Sequence, residues 1–549
     1  MKFLALLLLA LLCTCGPAPS NTTKTDNDFS WTPYDQSSEI AQNADHETRK
    51  LRYQLIQSRI TDRNVMLNAA KNQLGGFSAA EYERLKPLIY ERDILGLQAS
   101  VSSGALTYEL ITKWFLYRIV KFESDKSTYL NAIISINPDA VLQARQKDQN
   151  KGALPNLISG LPVLLKDNVG FAGLPTTAGA DALRENDAKD AYITARLKAN
   201  GAIILGKTNL SEWANFLCDG CPNGYSAVGG QTLNAYGRKT FDTGGSSSGS
   251  GVAMAANYAV AAVGTETSGS ILSPSSQSSL VGLKPTVGLL SRTGIVPISS
   301  TLDTPGPMTR SVTDNAIMLS AMSGADPDDP ATVFDLPTKP YLENLDKASP
   351  LGKRLGVIRR FLDNPLYALS VARLVELGAD TIVYDPPEVD LSGFLSLLNA
   401  DMKTDLPAYL KAHAGPKVEV TDVASVITHN LADTTKRSPY GMARFYGIED
   451  EKTEGQAHSE LKNRLKTEGA HYFSEPMTNH RLDAVLSINN YSAGTAAVAH
   501  YPALTVPMGY DETGKPFGLT FIGRPFSEDK LLMLGRVFEW GTKSRKAPF

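Results

Sequence analysis

The sequence predicts an α/β protein: a large mixed central β-sheet covered by helices on both faces. Short apolar runs alternate with helical stretches along most of the 549 residues. Those runs are apolar at successive positions rather than at alternate ones, which is the pattern of strands buried on both faces. Hydrophobic side chains make up 42 % of the chain, enough for a large core. Lys plus Arg (54) nearly balance Asp plus Glu (57), and the net charge of −3 comes with no basic stripe. That balance argues against a nucleic-acid partner.

Taken in order, Met1-Lys2 precede an apolar run at 3–12 that is too short to span a bilayer and has the shape of a signal-peptide core. Leu12-Cys13-Thr14-Cys15 resembles a bacterial lipobox. The expected organisation is therefore a lipoprotein-type signal peptide at 1–14 and a polar tether at 15–38. Cys15 would carry the lipid that attaches the chain to a membrane. Export follows, to the periplasm or a membrane surface, with plain secretion as the alternative. Residues 39–100 read as a helical N-terminal extension, in which Ser78-Ala-Ala-Glu81 has the form of a capping box for a helix stopping near Lys86, before Pro87.

The main domain is expected at 101–549. It opens with helices at 107–122 and 138–149, the second with Pro in its first turn. Strands follow at 163–165, 202–205, 259–263, 356–358, 381–383, 484–486, 504–506 and 519–522. Helices at 188–199, 250–258, 312–322 and 527–542 cover them. The stretch 386–476 is more helical and polar, and reads as an insertion beside the sheet that shapes the substrate entrance.

Several motifs carry chemistry. Gly201-Ala-Ile-Ile-Leu-Gly206-Lys207-Thr208 formally fits a phosphate loop, but its middle residues are themselves a strand and cannot curl around phosphates. Gly245-Ser-Ser247-Ser-Gly249 fits a nucleophile elbow, which would make Ser247 the serine of a Ser-His-Asp hydrolase. No apolar strand leads into it, and no histidine lies between His46 and His413. Cys218-Asp-Gly-Cys221 is a disulfide candidate and a poor zinc site. Lys166 closes the apolar run 161–165, where lost hydration favours the neutral amine, a proton acceptor. Asp167 beside it would favour the ammonium instead.

Two serine-rich loops, Gly244-Gly-Ser246-Ser-Ser-Gly-Ser250 and Gly264-Thr-Glu-Thr-Ser-Gly-Ser270, follow Lys166. Together with Pro162-Val-Leu-Leu-Lys166-Asp-Asn168, Val281-Gly-Leu-Lys-Pro-Thr286, Asp303-Thr-Pro-Gly-Pro-Met-Thr-Arg310 and Tyr501-Pro-Ala-Leu-Thr-Val-Pro507, they resemble the amidase signature family. The likeness runs from about Leu106 to the C-terminus.

The resemblance implies a Ser-cisSer-Lys triad: Ser270 as nucleophile, Ser246 after a cis peptide as the bridging serine, and Lys166 as base. It further implies an oxyanion hole from the backbone amides of Thr267, Ser268, Gly269 and Ser270, and no metal or organic cofactor. The implied reaction hydrolyses a carboxamide to a carboxylate and ammonia or an amine through an acyl-enzyme. Bacterial peptide amidases are the nearer likeness, which points to small-molecule or peptide amides. Glu266, Ser268 and the run Ser275–Ser279 depart from the usual pattern, so an amidase-like binding protein is the alternative to an enzyme. Glu266 reads either as part of a network with Thr265, Thr267 and Lys166 or as a cap on local backbone amides. Trp213 and Phe216 are candidates for the substrate-pocket wall, or else core.

Overall fold

The computed structural model describes residues 29–150, 156–333, 341–343 and 345–549. The expected signal peptide at 1–14, Cys15 and the tether as far as residue 28 lie outside the described residues. Eleven strands form one sheet. In chain order they are β1 (Ile133–Ile136), β2 (Pro162–Lys166), β3 (Ile203–Thr208), β4 (Ala261–Glu266), β5 (Val281–Lys284), β6 (Thr304–Thr309), β7 (Arg354–Ile358), β8 (Asp380–Tyr384), β9 (Ala484–Ile488), β10 (Ala503–Tyr510) and β11 (Pro516–Ile522). Across the sheet they run β1-β3-β2-β4-β6-β5-β10-β11-β9-β7-β8.

The sheet is mixed. β3, β2 and β4 are mutually parallel, as are β9, β7 and β8, while the strands between them pair antiparallel. Every residue of β2, β3, β4 and β9 is buried, as continuous apolar runs require when helices cover both faces. Because β2 and β4 are parallel neighbours, their C-terminal ends emerge together, which brings Lys166 beside Thr265 and Glu266. The crevice beyond the carboxyl ends of parallel strands is where an α/β sheet usually holds its ligand.

Helix boundaries follow local chemistry. Thr107 caps the helix Tyr108–Glu123 through the Leu110 amide, and Ser311 caps Val312–Met322 through that of Asp314. Ser78 likewise accepts from the Glu81 amide at 3.2 Å, but the Glu81 carboxylate pairs with Arg84, so only half of the expected capping box forms. That helix, Ala79–Ile89, also runs through Pro87 instead of stopping at Lys86. Pro87 lies two residues from its end, where losing one backbone donor is tolerated, and Tyr90 still bonds back to Lys86.

Within residues 29–38, expected in the tether, the three aromatic residues Phe29, Trp31 and Tyr34 pack against the core while most of their neighbours are exposed. Trp31 is 7 % exposed, stacks edge-on against Tyr129 and bonds through its amide to Asn64. Between 386 and 476 the chain is helical, with Phe394–His413, Val423–Leu431, Ala443–Asp450 and Gly455–Asn479. These helices build a second apolar core around Phe445, Leu465 and Met402, against Trp213 and the loop at 296–302.

Candidate active site

Lys166 is wholly buried at the end of β2, and its Nζ lies 2.7 Å from Ser246 Oγ, 2.8 Å from Thr265 Oγ1 and 3.1 Å from the Thr265 carbonyl. Burial pulls the amine down from its ordinary 10.5 to about 7, with Asp303 and Glu266 working the other way by favouring the ammonium. Asp167 does not compete for it. That carboxylate turns to Lys207 Nζ, 3.2 Å away, and to Thr177.

Thr265 is held in turn by Asn168, whose Nδ2 donates to Thr265 Oγ1 at 3.0 Å and to the Val296 carbonyl at 3.4 Å. A neutral amine has two N–H bonds and one lone pair. In the neutral form, an amine that donates to the Thr265 carbonyl and hydroxyl leaves its lone pair for the Ser246 hydroxyl.

Ser246 follows a cis peptide bond from Gly245, and its carbonyl accepts from the Ser211 amide at 3.0 Å. Ser247 is buried and structural: its Oγ donates to the Thr265 carbonyl at 3.1 Å and accepts from the Thr265 amide at 3.2 Å. No histidine bonds to it among the described residues, so the nucleophile-elbow reading has no base.

Beyond β4 the second loop turns back beneath Glu266. This carboxylate accepts from the amides of Gly269 (2.7 Å), Ile271 (2.8 Å) and Leu272 (3.0 Å). Burial raises its pKa while the three amide donors lower it. Of the two readings of Glu266, the structure has the cap. It also corrects the expected oxyanion set, since the Gly269 amide is committed to Glu266. The amides of Thr267, Ser268 and Ser270 make no backbone or side-chain hydrogen bond among the described residues. Gly269 sits at φ +84°, a conformation that favours glycine, and a side chain there would also meet Asn490. Ser270 is 8 % exposed, and its carbonyl accepts from the Ser247 amide at 3.2 Å, tying the two serine loops together. Its hydroxyl has no bonded partner among the described residues.

Residues 115–532 match the Amidase family. The chain belongs to the amidase family. It is 36 % identical over 481 residues to a probable amidase of Arabidopsis thaliana, covering 84 % of this chain and 92 % of that one. The crystal structure of an amidase family protein from Bacillus anthracis superposes with a TM-score of 0.86 at 35 % identity, over 90 % of this chain and 99 % of that one. The native peptide amidase of Stenotrophomonas maltophilia gives 0.80 at 36 % identity, over 84 % and 99 %. The protein is thus an amide-hydrolysing enzyme on an amidase signature fold.

A cavity of about 300 Å³ in this amidase adjoins Asn168, Thr265 and Thr267, and is walled by the 292–305 segment and by Asp405, Tyr409 and His413 of the helix Phe394–His413. Neither Trp213 nor Phe216 lines it. Trp213 is 1 % exposed and packs on Phe445, ring centroids 5.3 Å apart, while Phe216 joins the same second core. Both residues therefore take the core reading, in a segment where Trp213, Ala214 and Asn215 all have positive φ. Ala214 reaches the cavity instead.

Cys218, buried, and the half-buried Cys221 are paired as a disulfide in that segment. Sequence reasoning did not single out Asp303, which accepts from Thr267 Oγ1 at 2.5 Å and from the Ile298 and Ser299 amides. The motif beginning at Asp303 was the available signal.

Proposed function

We propose that this amidase cleaves carboxamides, with C-terminal amides of peptides and related small amides as its substrates, through an acyl-enzyme on Ser270. Ser270 Oγ attacks the amide carbon as its proton passes through Ser246 to Lys166. Collapse of the tetrahedral species returns a proton to the departing nitrogen and releases ammonia or an amine. Water then attacks the ester through the same relay, freeing the carboxylate and Ser270. The amides of Thr267, Ser268 and Ser270 supply the oxyanion donors, and Glu266 holds their loop through Gly269, Ile271 and Leu272.

One observation carries this reading. A desolvated lysine amine lies 2.7 Å from a serine hydroxyl that follows a cis peptide, and its other two contacts are the hydroxyl and carbonyl of Thr265. The similarity to a peptide amidase supports the substrate class. Ammonia release from a panel of peptide amides and simple amides tests it. Turnover that disappears in Ser270→Ala supports the reading, and full turnover in that variant rules it out. Export through the N-terminal leader, with lipid on Cys15, belongs to the same proposal and is read by fatty-acid labelling of wild type against Cys15→Ser.

A further inference from the structure

The cavity beside Asn168 and Thr267 offers hydrogen-bond acceptors and almost no free positive charge. Its one guanidinium, Arg292, is spent on Asp329, with Nε 2.9 Å and Nη2 2.5 Å from that carboxylate, and on the Ser300 carbonyl. Asp303 is already filled by Thr267 and the 298–299 amides. Asp405 accepts the Ser300 amide at 2.6 Å through one oxygen and has no cationic partner among the described residues, and the exposed Asp328 has none either. Burial holds His413 towards its neutral form.

A carboxylate cluster at a surface ordinarily just faces water. Two features set this one apart. It lines a cavity that opens beside the Lys166–Thr265 contact, and at that end Asn168, 2 % exposed, presents an Oδ1 with no partner. An unpaired buried acceptor is costly unless a ligand donor meets it.

We propose that this cavity is a subsite for a cationic group of the substrate, an ammonium or guanidinium, so that the enzyme prefers amides of basic residues and rejects those carrying a carboxylate. The inference rests on Lys166, Ser246 and Ser270 being the reaction centre, which places this cavity on the substrate. Asp405 and Asp328 supply the charge, and Asn168 Oδ1 accepts a substrate N–H. Of the cations nearby, Arg292 already belongs to Asp329, and the exposed Lys189, which acts on His413, lies outside the cavity lining.

The test compares N-acetyl-lysinamide, N-acetyl-norleucinamide and the α-amide of N-acetyl-glutamate by ammonia release at pH 8. We expect kcat/KM for the lysine amide to exceed that of its norleucine counterpart by at least about 10-fold, mostly through KM, and to fall towards it at high salt. The glutamate amide should be the poorest. In the double variant Asp328→Asn with Asp405→Asn the lysine-to-norleucine ratio should collapse towards one. Equilibrium binding of the same amides to Ser270→Ala gives the comparison without turnover. A ratio near one in the unaltered enzyme, or a ratio that survives both substitutions, overturns the proposal. Failure of the underlying reading shows separately, as full activity in Lys166→Ala.

Discussion

Lowering the pH through 7 should switch this amidase off through a single proton on Lys166. The general base must be neutral, and an ordinary lysine near 10.5 is only about 0.03 % neutral at pH 7. Burial brings Lys166 down to about 7, so about half of the molecules hold a free amine at that pH, a gain of roughly 1,500-fold in working base. Below pH 7 the neutral fraction falls about tenfold per unit, to about 10 % at pH 6 and about 1 % at pH 5. The assay is kcat/KM between pH 5 and 9 on an uncharged amide, which avoids the Asp405 carboxyl, itself pushed up to about 6 by burial. An acidic limb with a one-proton slope and a midpoint near 7 is expected. A profile flat across the range, or a midpoint near that of a free lysine, would refute the neutral-base reasoning.

Thr265→Val keeps the shape at β4 but removes the hydroxyl acceptor of one amine hydrogen. A hydrogen bond stabilises the ammonium more than the amine, so the acidic limb should move to lower pH while kcat drops about 10- to 100-fold, and Thr265→Ser should recover both. Glu266→Gln would turn an amide donor towards the backbone amides it now accepts, leaving at least one unsatisfied at roughly 1–3 kcal/mol. A lower melting temperature with a kcat loss beyond that of KM is the expected result. Trp213→Ala should cost about 3–5 kcal/mol in denaturant unfolding, as for other buried aromatics. A selective rise in KM without destabilisation would instead restore Trp213 to the pocket wall.

Eight strands were legible in the sequence as continuous apolar runs, and so was the position of Lys166 at the end of one of them. Three strands were not. β6 contains Pro305-Gly306-Pro307, residues that signal a turn, yet it lies between β4 and β5 in the sheet. The apolar runs of β1 and β5 are interrupted, by Ser135 and by Gly282. At the site, the end of an apolar run singled out Lys166, while Ser246 and Ser270 came from the resemblance to the amidase signature family. Neither could show which way short polar side chains turn in three dimensions. Glu266 could equally have reached Lys166 or its own loop, and only the fold of 267–272 beneath it decides for the amides and removes Gly269 as an oxyanion donor. Trp213 failed as a wall residue because the second core comes from helices some 200 residues downstream, a non-local contact that no window of sequence reveals.

The central claim, that Ser270 is the nucleophile and Lys166 its base through Ser246, is tested most directly by a fluorophosphonate probe followed by peptide mapping. The account predicts a single label on Ser270, lost in Lys166→Ala and in Ser246→Ala folded variants. A label on Ser247, or labelling of Ser270 at the full rate without Lys166, would contradict it.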